Sequence, residues 1–218
     1  MKKIFFGLAG CCFLIHFFIL APGCANIIPP TGGLRDSLPP VLLSVTPPDS
    51  VTNFREKKVV FTFDEYVQID NMQKNLIVSP TLPFNPAVVH RLKTVTVTIR
   101  DTLLEPNTTY TLDFGRGLKD NNEGNVYENF KYIFSTGSYL DSLGFEGNVI
   151  VAESGGIDST LMVILHSSAD DSAVVKERPR YIARLSPQGT FRFQNLPPGE
   201  FYVYAVEDES GAGRYQSK

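Results

Sequence analysis

The feature that most constrains the fold is a series of short segments in which apolar and polar residues alternate. Within Thr94–Ile99, the residues Val95, Val97 and Ile99 fall on one side of an extended chain and the threonines on the other. A period of two residues is typical of a strand with one buried face, and β-branched residues favour strands. This pattern, interrupted by turn-forming residues, predicts an all-β antiparallel sandwich. The strands expected in the first half are 41–45, 58–63, 76–78, 94–99, 109–114 and 130–134.

A second β-rich unit is expected after residue 143. No segment beyond residue 24 has the 3.6-residue period of an amphipathic helix. We therefore expect two β domains, at residues 40–137 and 143–218. The second is expected to be truncated, since little sequence follows its last strong strand. Its predicted strands are 145–152, 161–166, 181–185, 190–193 and 201–206.

The first domain carries four motifs in a fixed order. They read FTFDEYV at 61–67, LLEPNTTYTLDF at 103–114, GLKDNNEGN at 117–125 and FKYIFSTG at 130–137. This order resembles the bacterial Ig-like domains of S-layer-type and other surface proteins. The resemblance implies an Ig-like sandwich in which Tyr110 enters a core strand. It also implies that the third motif is a polar turn, which agrees with its Asp, Asn and Gly content.

The second domain carries a different signature. Residues 189–205 read GTFRFQNLPPGEFYVYA. The segment is similar to transthyretin-like, carboxypeptidase-regulatory and collagen-adhesin B-type modules. The resemblance spans residues 144–206 and implies a second, incomplete β-sandwich. In it, Phe191 and Phe193 face the core, and Pro197, Pro198 and Gly199 form the turn.

The N-terminus has the pattern of an export signal. Two lysines precede an apolar run over residues 4–20, and Ala21-Pro22-Gly23 leads to Cys24. The arrangement resembles a bacterial lipoprotein signal. It implies removal of residues 1–23 and lipidation, including palmitate, of Cys24. Residues 24–39, rich in Pro and Gly, would then be an extended tether between the membrane and the first domain.

The N-terminus also fits other patterns. Cys11 follows a better cleavage pattern, but residues 4–7 are too few for an apolar region of roughly 7–15 residues. An uncleaved anchor helix and an ordinary secretory peptide cut near Ala25 are the two alternatives. Since Ala25 rather than Asp follows Cys24, the lipoprotein pattern implies anchoring in the outer membrane, facing the periplasm or exposed at the surface.

Composition excludes several classes of protein. Removal of the signal leaves Cys24 as the one cysteine, and its lipidation would preclude a disulfide framework. The net charge is −3, and Lys and Arg form no cluster. Nucleic-acid binding is therefore not expected, because it requires concentrated positive charge.

Signals for catalysis or cofactors are weak. The expected mature chain has two histidines, His90 and His166, and no nucleophile elbow or phosphate-binding loop. We expect no enzyme activity and no cofactor. Asp120, Asn122 and Asp208 offer oxygen ligands that calcium takes, but the turn interpretation is preferred, since turns collect the same residues without a metal.

Asp-Ser or Asp-Thr, followed by a small apolar residue or Thr, occurs six times. The triplet resembles the O-glycosylation sequon of exported Bacteroidota proteins. The structural alternative is that these pairs favour turns and strand ends. The candidate acceptors are Ser37, Ser50, Thr102, Ser142, Ser159 and Ser172.

These features predict a non-catalytic cell-envelope lipoprotein that presents Ig-like modules. Its expected partners are the membrane, through the lipid, and an envelope protein or glycan. One alternative is a carbohydrate-binding module; another is the N-terminal accessory region of a longer enzyme. The carbohydrate alternative needs exposed aromatic side chains on one sheet face, with Tyr139, Tyr181, Tyr202 and Tyr204 as candidates.

Overall fold

A computed structural model describes residues 32–158 and 160–207. The described residues from Asp36 onward belong to one compact unit. Residues 32–39 are exposed and form neither helix nor strand. The expectations for the signal peptide, Cys24, Ser159 and Asp208 lie outside the described residues. The domain boundaries stay predictions.

The described residues form fourteen strands and two helices of a single turn. In the first module the strands are β1 (Leu42–Thr46), β2 (Lys58–Phe63), β3 (Val67–Ile69), β4 (Ile77–Ser79), β5 (Ala87–Arg91), β6 (Thr94–Thr98), β7 (Thr109–Asp113), β8 (Leu118–Asp120) and β9 (Lys131–Ser135). In the second module they are β10 (Leu143–Asn148), β11 (Leu161–His166), β12 (Tyr181–Arg184), β13 (Thr190–Leu196) and β14 (Tyr202–Glu207). The helices are α1 (Met72–Asn75) and α2 (Ala173–Lys176), and Asp101–Leu103 forms a 3₁₀ turn.

The predicted all-β class is confirmed, and the differences concern short or exposed elements. No local sequence pattern predicts strands β3, β5 and β8. Strands β3 and β8 have three residues each, too few to show a period. In β5 only Val88 is partly buried, so the alternation is lost; its backbone pairs with β6 as an outer strand. Strand β10 ends at Asn148, earlier than expected. Each helix has four residues, too short for a helical period.

The first module has two principal sheets, ordered β1-β2-β6-β5 and β4-β7-β9, with β3 paired to β8. The named strand pairs are antiparallel. The register places Phe61 beside Val95 and Val59 beside Val97, so the apolar residues of β2 and β6 share one face. All four side chains are buried, as the alternation predicts. The hydrophobic core of the first module includes these residues and lies against this face of the sheet.

Aromatic rings fill the centre of the first core. Phe61 makes edge-to-face contacts with Phe114, Phe130 and Tyr132 at centroid distances of 5.7, 5.1 and 5.4 Å. Tyr110 is buried in β7, and its hydroxyl accepts the backbone N–H of Glu105 at 2.8 Å. The hydroxyl therefore has a polar partner at the edge of an otherwise apolar core.

The second module has a β10-β13 pair and a β12-β11-β14 sheet. Phe191 and Phe193 are buried, as the sequence predicts, while the residues between and beside them are exposed. A short turn between β12 and β13 joins the two sheets, with Ser186 N–H bonded to the Thr190 carbonyl at 2.8 Å. The transthyretin-like assignment stays a prediction. The core consists of Val163, Leu165, Tyr181, Ala183, Leu185, Phe191, Phe193 and Leu196.

Candidate functional site

Arg180 joins the second module to the first. Its guanidinium donates two hydrogen bonds to the Glu105 carboxylate, at 2.5 and 2.6 Å. Its backbone carbonyl accepts the N–H of Thr81 at 2.9 Å. The hydrogen bond from Arg180 outweighs burial and holds the pKa of Glu105 below its usual value. A bidentate pair fixes orientation as well as distance.

Arg184 makes a second connection. Its Nη2 donates to the backbone carbonyls of Lys74 and Asn75, at 2.9 and 2.7 Å, where α1 ends. Its Nη1 lies 3.7 Å from Asp113 Oδ1. Gly115 has a φ of +54°, and a Cβ there would lie 3.1 Å from both Arg184 Nη1 and the Asn75 carbonyl. Glycine thus permits this close approach.

A third connection comes from the segment before β12. Arg178 donates to the Leu82 carbonyl, and the Thr81 hydroxyl donates to the Pro179 carbonyl at 2.5 Å. Most of these acceptors are backbone carbonyls, so they belong to the fold rather than to mobile side chains. The two modules are therefore held in one arrangement by three arginines of a seven-residue stretch.

A cavity of about 890 Å³ lies between the modules, and we call it the inter-module groove. One wall is the outward face of the β4-β7-β9 sheet. The other wall is formed by consecutive residues of β12 and β13, which brings both backbone and side chains to the groove. Its volume is in the range of ligand sites, which favour such junctions. Its lining includes Ile77, Thr111, Asp113, Arg116, Glu128, Lys131, Ile133, Glu146, Ile182, Arg184 and Arg192.

Charges in the groove are paired with one another. Arg116 pairs with Glu128, and the Arg192 Nη2 lies 2.5 Å from a Glu146 carboxylate oxygen. Lys131 lies 3.5 Å from Asp113. Paired charges attract an ionic ligand weakly but still donate and accept hydrogen bonds. The groove is therefore suited to an uncharged, hydrogen-bonding ligand that also contacts isoleucine side chains.

Asp120 holds the predicted polar turn together. The backbone N–H groups of Asn122, Glu123 and Gly124 donate to its Oδ1 at 2.9, 2.6 and 2.9 Å, and that of Asn125 donates to Oδ2 at 2.7 Å. Burial alone would raise the pKa of Asp120. The four hydrogen bonds to its carboxylate act in the opposite direction and outweigh burial, so the pKa lies below its usual value. All four hydrogen bonds come from the backbone of the turn itself, so the prediction of a polar turn explains why the Asp120 carboxylate lies there.

The sequence did not point to one neighbour of this turn. Glu65 places a carboxylate oxygen in a group with those of Asp120 and Glu123, all within 4.8 Å of one another. Burial and the neighbouring acids raise the pKa of Glu65. No sequence spacing links Glu65 to the turn, because the pairing of β3 with β8 brings them together.

The candidate glycan acceptors differ in exposure. Ser37, Ser50, Thr102 and Ser142 are exposed, whereas Ser172 is partly buried at the start of α2. Exposure is necessary for modification but also fits the turn alternative, so glycosylation stays a prediction.

The four tyrosines required by the carbohydrate alternative do not form one platform. Tyr181 is buried in the core and packs edge-to-face on Phe201 at 5.5 Å. Tyr202 and Tyr204 lie on the opposite face of the same sheet, since Val203 between them is level with Leu165 and Tyr181. This arrangement argues against a sugar-stacking surface.

His90 and His166 lie in different modules. His90 is exposed on β5. His166 is 2% exposed, and its Nε2 has no hydrogen-bond partner among the described residues. Its ring lies edge-on to Tyr204 at 6.0 Å. Burial lowers the pKa of His166, and the nearby Glu177 carboxylate opposes this only in part.

We expect this histidine to make stability fall in mild acid. The unfolded chain takes up the proton near pH 6.5, whereas the folded protein resists it. The contribution of neutral His166 to the free energy of unfolding is therefore complete above about pH 6.5 and is lost as the pH falls through that value. The free energy of unfolding should fall by at most about 1.4 kcal/mol per pH unit on this account. Urea unfolding between pH 7.5 and 5.5 measures this. His166→Phe should flatten the slope; equal slopes for both proteins would contradict the assignment.

Comparison with known proteins supports the Ig-like prediction for the first module. No curated protein and no solved structure gives a significant match to the chain. The described residues contain no helix that is long and apolar enough to span a bilayer. Domains of the matching type are typically non-catalytic and extracellular or envelope-associated. Residues 36–136 match the family model of the bacterial Ig-like domain, and this segment is similar to that family.

Proposed function

We propose that the protein is a non-catalytic lipoprotein of the cell envelope, anchored in the outer membrane through Cys24. The signal-like N-terminus and the Ig-like match support this proposal. Its two β modules act as one rigid body held away from the membrane by the tether. The exposed candidates Ser37, Ser50, Thr102 and Ser142 carry O-glycans in this proposal.

The inter-module groove supports a binding role. Arg178, Arg180 and Arg184 hold both walls, so little conformational entropy is lost when a ligand enters. A flexible pair of domains would lose this advantage. The single observation that carries the proposal is this arginine-fixed groove.

The lining favours a protein segment over a glycan as the ligand. Ile77, Ile133 and Ile182 provide aliphatic contacts, and the edges of β12 and β13 provide backbone groups. The burial of Tyr181 removes the stacking surface that sugar recognition commonly uses. We therefore propose that the groove binds an uncharged segment of another envelope protein.

Photo-crosslinking in intact cells tests this function. A photoreactive phenylalanine analogue at Thr111, inside the groove, should give one protein adduct of defined mass. The same analogue at Val89, on the exposed outer strand β5, is the matched control. Ile133→Arg, which fills the groove, should abolish the Thr111 adduct.

The result can contradict each part of the proposal separately. A glycan adduct would show that the ligand is a glycan rather than a protein. Equal adducts at Thr111 and Val89 would show that the groove is not the binding site. Intact mass of the same membrane-extracted protein reports the anchor and the glycans. A mass that corresponds to an unacylated chain beginning at Met1 would contradict the lipoprotein assignment.

A further inference from the structure

Strand β14 is the outer strand of its sheet in the described part of the chain. It pairs with β11 over its whole length, from Tyr202 opposite His166 to Glu207 opposite Leu161. Strand β10 is likewise an outer strand and pairs with β13. Since β12 and β13 meet at the short turn, β10 and β14 form the other margins of the two sheets.

Residues of both outer strands face the core and yet are exposed. Val203 pairs with the buried Leu165 but is itself 44% exposed. Phe145 pairs with the buried Phe193 but is 43% exposed. Directly paired residues share a face of the sheet. The core-facing side of each sheet is therefore open to water at its outer strand, at Val203 in β14 and at Phe145 in β10.

The charged residues at the two ends of β14 are both acidic. Glu200 precedes the strand and Glu207 ends it, and both are exposed. Residues 193–207 contain no lysine or arginine. Among the described residues, the arginines of the second module point elsewhere: Arg178, Arg180 and Arg184 toward the first module, and Arg192 to Glu146. The strand edge thus lies between two carboxylates.

We propose that the edge of β14 that no described strand covers binds a basic, extended segment of a partner protein as an added strand. Backbone hydrogen bonds would continue the sheet, as in other cases of strand addition. Alternate apolar side chains would cover Val203, and Lys or Arg at the segment ends would pair with Glu200 and Glu207. This surface is separate from the inter-module groove, and its occupant does not depend on that site.

The charges argue against a second copy of this chain as the occupant. Antiparallel pairing of β14 with itself would place Glu207 of one copy near Glu200 of the other. Parallel pairing would place identical glutamates side by side. Like charges opposite one another destabilise strand pairs, so a cationic partner is favoured.

A synthetic peptide provides the test with the full chain. The probe alternates Val and Thr over nine residues and has Lys at both ends. One control peptide has Glu at the ends, and a second has proline at central positions, which removes backbone donors. Fluorescence anisotropy measures affinity, and hydrogen exchange measures protection of the amides of residues 202–207.

We expect saturable binding of the Lys peptide, slower exchange in β14, and affinity about tenfold weaker for the Glu peptide. The proline peptide should not bind. Val203→Lys should abolish binding, while Val89→Lys on the outer strand β5 is the matched control and should leave it unchanged. The proposal is overturned by the absence of binding, by equal effects of the two variants, by self-association through β14, or by β14 amides already fully protected in the protein alone.

Discussion

Phe61→Ala is expected to destabilise the first module by about 3–5 kcal/mol, the cost of truncating a buried phenylalanine to alanine. Phe61 is fully buried in β2, and three aromatic rings meet its edges or face. Its removal leaves a cavity. The neighbouring rings cannot move to fill it, because strands β7 and β9 and the residues that flank them hold these rings in place. The edge-to-face contacts with Phe114, Phe130 and Tyr132 would be lost together.

Urea unfolding followed by tyrosine fluorescence suits this measurement, because the chain has no tryptophan. Tyr110 and Tyr132 are buried in the same core and report on it. Phe84→Ala, at an exposed loop position, is the matched control and should change stability by less than about 0.5 kcal/mol. If the two variants unfolded at the same urea concentration, the aromatic core would not be centred on Phe61.

Asp120→Ala is expected to cost about 3 kcal/mol and to loosen the turn at residues 121–125. One carboxylate accepts four backbone N–H groups there, and hydrogen bonds to a charged group are stronger than neutral ones. Asp120→Asn should cost less, since its amide oxygen can keep the three bonds made by Oδ1. Its NH₂ group would face the Asn125 N–H, so the fourth bond would be lost.

The pH dependence of this turn follows from the same hydrogen bonds. Because the pKa of Asp120 is lowered on folding, its contribution is complete above the unfolded value near 3.9 and is lost as the pH falls through the folded value. The stability difference between wild type and Asp120→Asn should therefore shrink in acid. Chemical denaturation at neutral and acid pH measures it.

Asp70→Asn is the control for this second prediction. Asp70 is an exposed carboxylate near the same turn, 3.2 Å from Lys119. An exposed pair contributes little, about 0–1 kcal/mol. If Asp120→Asn and Asp70→Asn had equal effects at neutral pH, the four backbone bonds would not be what stabilises the turn.

The strand alternation was predictable because it is local. A buried face every second residue appears directly in Thr94–Ile99, and Val95, Val97 and Ile99 are all buried. Short strands such as β3 and the exposed strand β5 left no such trace, since neither has enough buried positions to form a period. Their existence depends on neighbours that supply backbone hydrogen bonds.

The candidate sites show the same division. The turn at Asp120 was recognisable, because consecutive turn-forming residues act on their own backbone. Glu65 was not, because only strand pairing brings it to Asp120. The inter-module groove was also hidden: Arg180 and Glu105 are 75 residues apart, and no local pattern pairs them.

The sequence by itself determined the all-β class, the main core strands, the polar turn and the expectation of an anchored N-terminus, because each depends on neighbouring residues. Only the tertiary structure decided which arginines join the modules, where the groove lies and that no strand in the described part of the chain covers the outer edge of β14. Those features depend on contacts between distant segments, and on which apolar faces remain uncovered once the sheets have packed.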